Sequence, residues 1–232
     1  MCNLYIVGTP IGNLEDITLR GLRILKEVDF VLCEDTRVTS RLLNRYGIKT
    51  PTISYHQHSR VEKIEYIIGL LKSGKNLAMV SDAGTPGISD PGNQLVEIVV
   101  GQLGEQVNII AIPGPSAVTS AVSVCGFKTD KFIFYGFPPT KSKRNKFFTE
   151  IMESKYTAVF YESSHRILKA LEEVSLIDKK RPIVVCQELT KMFEKTYRGT
   201  AEMVVKSFKL KSEKNVATKG EFVIVVASRE KI

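Results

Sequence analysis

The sequence is organised around Val80-Ser-Asp-Ala-Gly-Thr-Pro-Gly-Ile-Ser-Asp-Pro-Gly92, a stretch with three glycines and two prolines in thirteen residues. An apolar run at 77–80 precedes it and a helical pattern at 94–100 follows, so it is a long turn at the carboxyl end of a predicted strand. In an open α/β sheet this is where ligands bind. Glycine allows close backbone approach and proline stiffens the loop. Taken alone, the loop is equally compatible with a ligand-binding shelf and with a plain tight connection.

Outward from this loop, strand-like and helix-like segments alternate through the first half of the chain, which predicts a parallel sheet with right-handed crossovers. A loop of unusual composition follows each predicted strand. These loops are Gly8–Asn13, Glu34–Arg37, His56–His58, Asp82–Gly92 and Pro113–Ala117. In a parallel sheet they lie on one edge, and five such loops on one edge predict a ligand cleft there.

The pattern restarts after Gly126, with further strands predicted at 131–135, 156–161, 182–186 and 222–226. We therefore predict two α/β domains with mostly parallel sheets, residues 1–115 and 116–232. In the first domain, Ser59 and Glu62 have the spacing of a capping box at the start of a helix that ends near Ser73.

Composition indicates a soluble cytoplasmic protein. The chain has 232 residues, of which 43% are hydrophobic and 25% charged, enough for a substantial core. No apolar run is long enough to span a bilayer, and the N-terminal segment reads as a strand rather than a signal peptide. The four cysteines are far apart and do not combine with the histidines at ligand spacing, so we expect reduced thiols and no metal.

The charge is basic, with 33 Lys+Arg against 25 Asp+Glu and a net charge of +8. Much of the excess lies in Lys141-Ser-Lys-Arg-Asn-Lys146 and in the lysines of 206–219. Such an excess favours a polyanionic partner, with RNA, DNA and anionic lipid as candidates. A basic run is most often a solvated surface, so a nucleic-acid-binding face in the C-terminal half remains a hypothesis.

Several acidic residues in the loops are candidates for chemistry. Asp82 directly follows a strand, which favours a ligand contact, whereas a loop position such as that of Asp90 is typical of helix or turn capping. Glu34 and Asp35 are candidate general bases. The alternative for this pair is a helix N-cap with a salt bridge to Arg37 or Arg41, and the residues alone do not separate the two.

The remaining polar and aromatic candidates are less specific. His56 and His58 alternate, so one is expected to line the cleft and the other to lie on the surface. His165 beside Arg166 either helps to hold phosphate or begins a helix. Phe134, Phe137 and Tyr161 are more typical of a core than of a stacking surface. The first glycine loop has neither the Walker A nor the dinucleotide-binding spacing. The residues alone thus predict an α/β enzyme with a nucleotide-like ligand and leave its chemistry open.

Six motifs occur in one order along nearly the whole chain. They are Gly8-Thr-Pro-Ile-Gly-Asn13, Glu34-Asp-Thr-Arg37, Val80–Gly92, Ile112-Pro-Gly-Pro-Ser-Ala117, Phe137-Pro-Pro139 and Tyr161-Glu-Ser-Ser-His-Arg166. This set resembles the tetrapyrrole methylase superfamily of S-adenosylmethionine enzymes, and within it the branch that modifies ribosomal RNA. The long central motif is specific to that branch, whereas the short glycine loops are shared across the superfamily.

The resemblance implies methyl transfer from S-adenosylmethionine to the ribose 2′-hydroxyl of a cytidine in the decoding region of 16S rRNA in the small ribosomal subunit. It also implies two α/β domains with the cofactor between them, and a homodimer. The cofactor-binding candidates that it implies are Pro10, Ile11, Asp82, Thr85, Ile88, Ala117, Val118, Tyr161 and Gly220. The superfamily often has Gly-Asp-Pro in the central loop. Here the match is Gly84-Thr-Pro86, so Thr85 replaces that carboxylate and Asp82 is expected to take its role.

A ribose hydroxyl is a poor nucleophile and benefits from a base, for which Glu34, Asp35 and His56 are the candidates. The candidates for contacts with rRNA phosphates are Arg37, Lys141, Lys143, Arg144 and Arg166. Two other classes remain open. A methyltransferase of the same fold that acts on a tetrapyrrole-like small molecule is disfavoured by the charge of +8. A non-enzymatic RNA-binding protein of ribosome assembly is disfavoured by the five unusual loops.

Overall fold

The computed structural model describes residues 1–56, 61–90, 92–213 and 219–229, with no description of the side chains at 211–213. The chain divides into two compact units, Met1–Ser116 and Ala117–Ile232. His58 and Ser59, and with them the capping box and the second histidine of the pair, lie outside the described residues, as does the stretch 214–218 of the lysine-rich segment.

The first unit alternates strands and helices. Its elements are β1 (Cys2–Val7), α1 (Leu19–Glu27), β2 (Phe30–Cys33), α2 (Thr36–Arg45), β3 (Thr52–Ser54), α3 (Val61–Lys72), β4 (Leu77–Met79), α4 (Gly92–Leu103) and β5 (Val107–Ile112). Short 3₁₀ helices occupy Leu14–Asp16 and Gly104–Gln106. Side chains cap the N-termini of α1 and α2. The Thr18 hydroxyl accepts a hydrogen bond from the Gly21 N–H at 3.0 Å, and the Asp35 carboxylate accepts one from the Arg37 N–H at 2.8 Å.

The sheet of the first unit is parallel throughout its described pairings, in the order β3-β2-β4-β1-β5. Its inner strands are apolar on both faces, as expected of a sheet covered on both sides. Leu32 packs with residues of α3 and α4, whereas its neighbours Val31 and Cys33 pack with residues of α1 and α2. Because all strands point the same way, the loops after β1, β2, β3, β4 and β5 share one edge.

The second unit is also α/β. Its elements are α5 (Ala117–Cys125), β6 (Phe132–Phe134), α6 (Arg144–Glu153), β7 (Thr157–Ser163), α7 (Ile167–Ile177), β8 (Pro182–Gln187), β9 (Lys195–Thr200), α8 (Ala201–Glu213) and β10 (Glu221–Val226). Apolar residues of α6, α7 and α8 pack with strand residues around Phe160 and Phe208, which are fully buried.

The second sheet corrects one detail of the sequence prediction, because it is mixed rather than mostly parallel. Its order is β6-β7-β10-β8-β9, and only β6 and β7 run parallel; the other described pairs are antiparallel. The short connection 188–194 between β8 and β9 explains part of this, since a parallel pair needs a longer crossover. The α/β class itself is confirmed. In the described part of the chain, no helix combines the length and the apolarity that crossing a membrane would demand.

Candidate functional site

The loops after β1 and β5 touch through their backbones. A Cβ atom added at Gly8 would lie 2.8 Å from the Gly114 Cα, and one added at Gly114 would lie 2.7 Å from the Gly8 carbonyl oxygen. The Gly8 N–H also donates to the Ile112 carbonyl at 3.1 Å. Only glycine at both positions allows this approach, so these two residues hold the two loops together.

The loop after β1 also pairs with the central loop after β4. The Thr9 N–H donates to the Gly84 carbonyl at 2.9 Å, and the Gly84 N–H donates back at 3.1 Å. The buried Thr9 hydroxyl donates to the Ser81 carbonyl at 3.1 Å. Gly84 has φ +86°, which glycine adopts without strain, and the Thr85 hydroxyl donates to the Pro115 carbonyl at 3.2 Å. Three of the five predicted loops therefore form one rigid edge.

A fourth loop joins this edge through two acidic side chains. The Asp35 N–H donates to Asp82 Oδ1 at 3.1 Å, while the Glu34 carboxylate accepts a hydrogen bond from the Asp82 backbone. Burial raises the pKa of Glu34, and the negative charges of Asp82 and Asp90 raise it further. Glu34 is therefore a stronger base than an ordinary glutamate, and no described ion pair neutralises it.

Asp35 has a different environment from its neighbour Glu34. It is the N-cap of α2, and it also pairs with the exposed Arg37 guanidinium through two contacts, one of 2.6 Å to Nη2 and one of 3.0 Å to Nε. The side-chain hydrogen bond from Arg37 is the largest cause that lowers the pKa of Asp35 to about 2. Asp35 is thus a weak base, and its position matches the capping and salt-bridge alternative.

Asp90 is a structural residue of the central loop. Its Oδ1 accepts from the backbone N–H groups of Gly87 and Gly92, the second at 3.0 Å. A Cβ at Gly92 would lie 2.7 Å from the Gly87 nitrogen, so the loop folds tightly around this carboxylate. This agrees with the capping role expected for Asp90.

The other predicted residues of the first unit differ in exposure. Pro10 and Ile11 are buried in the loop after β1, and the Ile11 Cγ2 lies 3.3 Å from the Cβ position of Gly84. Ile88 is exposed in the central loop. His56 is exposed after the edge strand β3, whose end stays beside that of β2 because the Tyr55 N–H donates to the Cys33 carbonyl at 2.8 Å.

In the second unit, three predicted cofactor residues lie together. Tyr161, near the end of β7, forms a hydrogen bond with the backbone of Val118 in the first turn of α5, next to Ala117. Burial raises the pKa of Tyr161 to about 12, so the phenol stays neutral. Two further rings pack edge-on against Tyr161, those of Phe134 at 4.8 Å and of the half-exposed Phe137 at 5.3 Å between centroids.

Gly220 lies immediately before β10, whose first residues pair with the end of β7, where Tyr161 stands. It has φ +114°, and a Cβ there would lie 2.5 Å from the Glu188 side chain. Glu188 Oε1 accepts from the Glu221 N–H at 2.8 Å and from Lys191 Nζ at 2.9 Å. The conformation and the lack of space both require glycine at this position.

The cationic residues predicted to contact RNA differ in their exposure to solvent. Lys141 and Lys143 are exposed, as is Arg37. Arg144 corrects the prediction: it is 6% exposed, and its guanidinium pairs with Glu173 at 2.8 Å and donates to the Pro139 carbonyl at 3.1 Å. Because its partners enclose it, Arg144 is not positioned to contact a phosphate, and the prediction that it does so is wrong. Arg166 is partly exposed and pairs with Glu162 at 2.9 Å.

The lysine-rich run of α8 is partly neutralised. Lys206 pairs with Glu202 at 3.1 Å and Lys209 with Glu172 at 2.8 Å. These pairs are on the surface and weaken the case for that run as a nucleic-acid-binding face.

Sequence reasoning did not single out Thr9, Ser81 or Glu162, although each stands inside a quoted motif. Thr9 could have been found from its position beside Gly8, because a glycine in such a loop indicates close packing against another backbone segment. Glu162 stands between an aromatic residue and an arginine at i+4, a spacing that suits an ion pair. Among the described residues, no group of three or more His, Cys, Asp or Glu side chains could hold a metal ion.

Comparison with known proteins gives a consistent result. The family model of the tetrapyrrole (corrin/porphyrin) methylases matches residues 3–204. The ribosomal RNA small subunit methyltransferase I of Thermotoga maritima is 43% identical over 230 residues, which cover 99% of this chain and 100% of that protein. The protein of the same name from Halalkalibacterium halodurans is 42% identical over 96% of this chain and 75% of its own length.

Solved structures share the fold. A cobalt precorrin-4 methyltransferase of cobalamin biosynthesis superposes with a TM-score of 0.68 at 22% identity, covering 97% of this chain and 94% of that one. A diphthine synthase gives a TM-score of 0.73 at 14% identity, covering 97% and 90%. At these identities the likeness concerns the fold alone.

Proposed function

This chain belongs to the tetrapyrrole methylase family, and from that premise we propose that it is an S-adenosylmethionine-dependent methyltransferase that acts on the ribose 2′-hydroxyl of a cytidine in the decoding region of 16S rRNA. The observation that carries the proposal is the 43% identity, over nearly the full length of both chains, to a protein named as an rRNA methyltransferase. The net charge of +8 suits an RNA substrate better than a small acidic tetrapyrrole.

The residues of the first unit fit the proposed cofactor. S-adenosylmethionine carries a sulfonium and an ammonium cation, and the loop edge presents the carboxylates of Glu34 and Asp82. The Gly8–Gly114 contact and the Thr9–Gly84 bridge make a rigid backbone surface with glycines where a ligand can approach closely. The exposed Ile88 adds apolar surface for the uncharged parts of the molecule, and the buried Ile11 lies against Gly84 behind the same edge.

When bound, S-adenosylmethionine supplies an electrophilic methyl group on sulfur. The chain's own part in the reaction is to hold the ribose hydroxyl in line with that group and to take its proton. We assign the proton to the Glu34 carboxylate, because burial and the neighbouring aspartates raise its pKa above that of an ordinary glutamate, whereas Asp35 is committed to Arg37.

Asp35 and His56 take lesser parts in this proposal. Asp35 begins α2, and through its backbone N–H it holds the Asp82 carboxylate at 3.1 Å. Its side chain is committed to Arg37, so it orients the loop rather than accepting a proton. His56 stays a candidate for contact with the RNA or the ribose, on the strength of its exposed position after β3.

In the second unit, Ala117, Val118 and Tyr161 are the proposed cofactor contacts, because a hydrogen bond and burial bring them together. Gly220 remains a proposed contact on the resemblance alone. For the RNA we retain Arg37, Lys141, Lys143 and Arg166. We also propose a homodimer, a substrate presented within the small ribosomal subunit, and a cytoplasmic location. Light scattering of the purified protein tests the dimer.

The direct test is methyl transfer from radiolabelled S-adenosylmethionine to purified small ribosomal subunits that lack the modification. Label is expected in 16S rRNA, at one cytidine whose 3′ phosphodiester resists alkaline hydrolysis, because a 2′-O-methyl group removes the internal nucleophile. Glu34→Gln is expected to lower turnover by about 10²-fold. Glu105→Gln, an exposed residue at the amino-terminal side of β5, is the matched control and should act like the wild type.

Other outcomes identify the alternatives. Labelling of a precorrin and not of the ribosomal subunit would favour a tetrapyrrole-like substrate. Absence of S-adenosylmethionine binding in calorimetry, together with binding to small subunits, would favour a non-enzymatic role in ribosome assembly.

A further inference from the structure

A chain of four charged side chains crosses the second unit, and the proposed chemistry does not use it. The signs alternate from Glu173 through Arg144 and Glu162 to Arg166. Arg144 Nε lies 2.8 Å from Glu173 Oε2, Arg144 Nη1 lies 3.6 Å from Glu162 Oε2, and Arg166 Nε lies 2.9 Å from Glu162 Oε1. The central carboxylate thus offers one oxygen to each of two arginines.

The middle of the chain is buried and its cationic end is exposed. The Glu162 side chain is 0% exposed and that of Arg144 7%, whereas that of Arg166 is 29% exposed. Among the described residues, no donor reaches Glu162 Oε2 at hydrogen-bond distance. Burying charges with incomplete hydrogen bonding stabilises a protein no better than apolar residues of similar volume would, so stability alone does not account for the arrangement.

What the network does is orient two cationic elements. Only the Nε edge of the Arg166 guanidinium is bound by the described part of the protein: Nε donates to Ser163 Oγ at 3.2 Å and pairs with Glu162. No hydrogen bond joins either of its Nη atoms to a described residue, so they are available as a planar pair of donors. A guanidinium presented in this way matches the oxygens of a phosphate.

The second element is the loop that carries Lys141 and Lys143. Arg144 closes this loop, because its Nη1 donates to the carbonyl of Pro139, five residues earlier, at 3.1 Å. Both lysines lie between these two anchors and are exposed. Glu162 therefore connects, through its two oxygens, the arginine that pins the lysine loop and the arginine that faces solvent.

We propose that Glu162 and Arg144 are positioning residues for the RNA substrate: they hold Arg166 and the Lys141–Lys143 loop in the arrangement that receives backbone phosphates. This rests on the proposed function, since the phosphates are those of the rRNA. Arg144 then contributes to RNA binding without touching RNA, which explains why a buried arginine stands inside a basic run.

The test is Glu162→Gln, which keeps the size and one oxygen acceptor but removes the charge. Steady-state methylation of small ribosomal subunits is expected to show a KM for the subunit raised about tenfold, the scale of one charge-assisted hydrogen bond. The KM for S-adenosylmethionine should change less than about twofold, because none of the four charged side chains is a proposed cofactor contact. A loss of folded protein would alter neither KM, so the difference between the two KM values separates positioning from stability. The dependence of subunit binding on salt should weaken by about one phosphate contact.

Two further variants make the result specific. Arg166→Gln should raise the KM for the subunit by no more than Glu162→Gln does, and the double variant should be no worse than Glu162→Gln alone, because Glu162→Gln already disturbs the placement of Arg166. Asp178→Asn is the matched control: Asp178 also pairs with a buried arginine of this unit, Arg181, at 3.2 Å, and should leave both KM values unchanged. Additive effects, or equal changes in both KM values, would overturn the proposal.

If Glu162→Gln does not fold, as judged by circular dichroism, Ser163→Ala replaces it, because it removes the other acceptor of Arg166 Nε. An unchanged KM for the subunit in Ser163→Ala together with an unchanged KM in Arg166→Gln then overturns the proposal. Failure of the proposed function has a different signature, since the wild type would then methylate no ribosomal subunit. In that case the affinity of wild type and variants for a fluorescent 16S rRNA fragment is compared. Equal affinity and equal salt dependence of binding would contradict the positioning role.

Discussion

Glu34 and Glu162 are both glutamates at the carboxyl end of a strand, one in each unit, and they have opposite surroundings. Glu162 is fully buried and lies between two arginines. Glu34 is only partly buried, and its pKa is raised first by that burial and then by the negative charges of Asp82 and Asp90. The second unit thus neutralises a buried charge, while the first leaves a charge uncompensated. An ionised carboxylate without a cationic partner opposes folding, and perturbed pKa values of this kind cluster at functional sites, which supports the proposed role of Glu34 as the base.

The largest expected effect comes from removing the neutralised charge. Glu162→Leu should lower the free energy of unfolding by about 3 kcal/mol, because it leaves Arg144 buried with one carboxylate partner fewer. Urea denaturation of the purified protein measures it. The double variant Arg144→Met/Glu162→Leu is expected to recover part of the loss. A single variant as stable as the wild type would contradict the stabilising pairing of Glu162 with the two arginines.

The uncompensated charge should behave in the opposite way. Glu34→Gln is expected to reduce turnover about 10²-fold, equivalent to about 2.7 kcal/mol of transition-state stabilisation, and yet to raise the free energy of unfolding at pH 7. The pKa of Glu34 is higher in the folded than in the unfolded chain, so its ionised form disfavours the fold at neutral pH.

The stabilising effect of Glu34→Gln should therefore shrink as the pH falls through the raised folded-state pKa towards the usual value of 4.5, where both states become protonated. In the wild type, the acidic limb of kcat against pH should report the same group and should disappear in the variant. Denaturation and turnover measured over one pH series check both. A variant that is less stable at pH 7 would contradict the comparison.

A third test concerns the rigid edge that carries the uncompensated charge. Gly114→Ala should lower the free energy of unfolding by about 2 kcal/mol and weaken S-adenosylmethionine binding, because its Cβ would meet the Gly8 backbone at 2.7 Å. Gly69→Ala is the matched control: nothing lies within 4 Å of its Cβ position in α3, so it should gain up to about 1 kcal/mol. Thermal denaturation of both variants measures stability, and calorimetry measures S-adenosylmethionine binding. The comparison separates the clash at Gly114 from the general effect of replacing glycine by alanine. Equal stability of the two variants would contradict the tight contact between Gly8 and Gly114.

The smallest effect is expected for the neighbour of Glu34. Asp35→Asn should change turnover less than about tenfold, because Asn also caps helices and the side chain is committed to Arg37 rather than to the reaction. The folded-state pKa of Asp35 is lowered to about 2, so its contribution to stability is present at neutral pH and is lost as the pH falls towards 2. In acid denaturation, Asp35→Asn should therefore lose less stability than the wild type as the pH falls towards 2. A drop in turnover as large as that of Glu34→Gln would make Asp35 the base instead.

The amino-acid pattern alone was enough to predict the α/β class, the family and most elements of the fold. The repeat of buried positions that distinguishes strands from helices is a local pattern. The strands predicted at 182–186 and 222–226 are accordingly observed as β8 (Pro182–Gln187) and β10 (Glu221–Val226). Loops after parallel strands must share an edge, so the gathering of the first-unit loops also followed from local signals. The direction of the strands in the second sheet did not, because β10 is apolar on both faces whichever way it runs.

The environment of each charged side chain, in contrast, follows from contacts made after folding. Glu34 and Asp35 are adjacent in sequence, but their pKa values move in opposite directions because their partners come from different places: Asp82 and Asp90 from the loop after β4, and Arg37 from the first turn of α2. Arg144 stands in a basic run like a surface residue, yet Glu162 and Glu173 enclose it. Electrostatic environment depends on distance and burial between residues remote in sequence, and no local pattern encodes it.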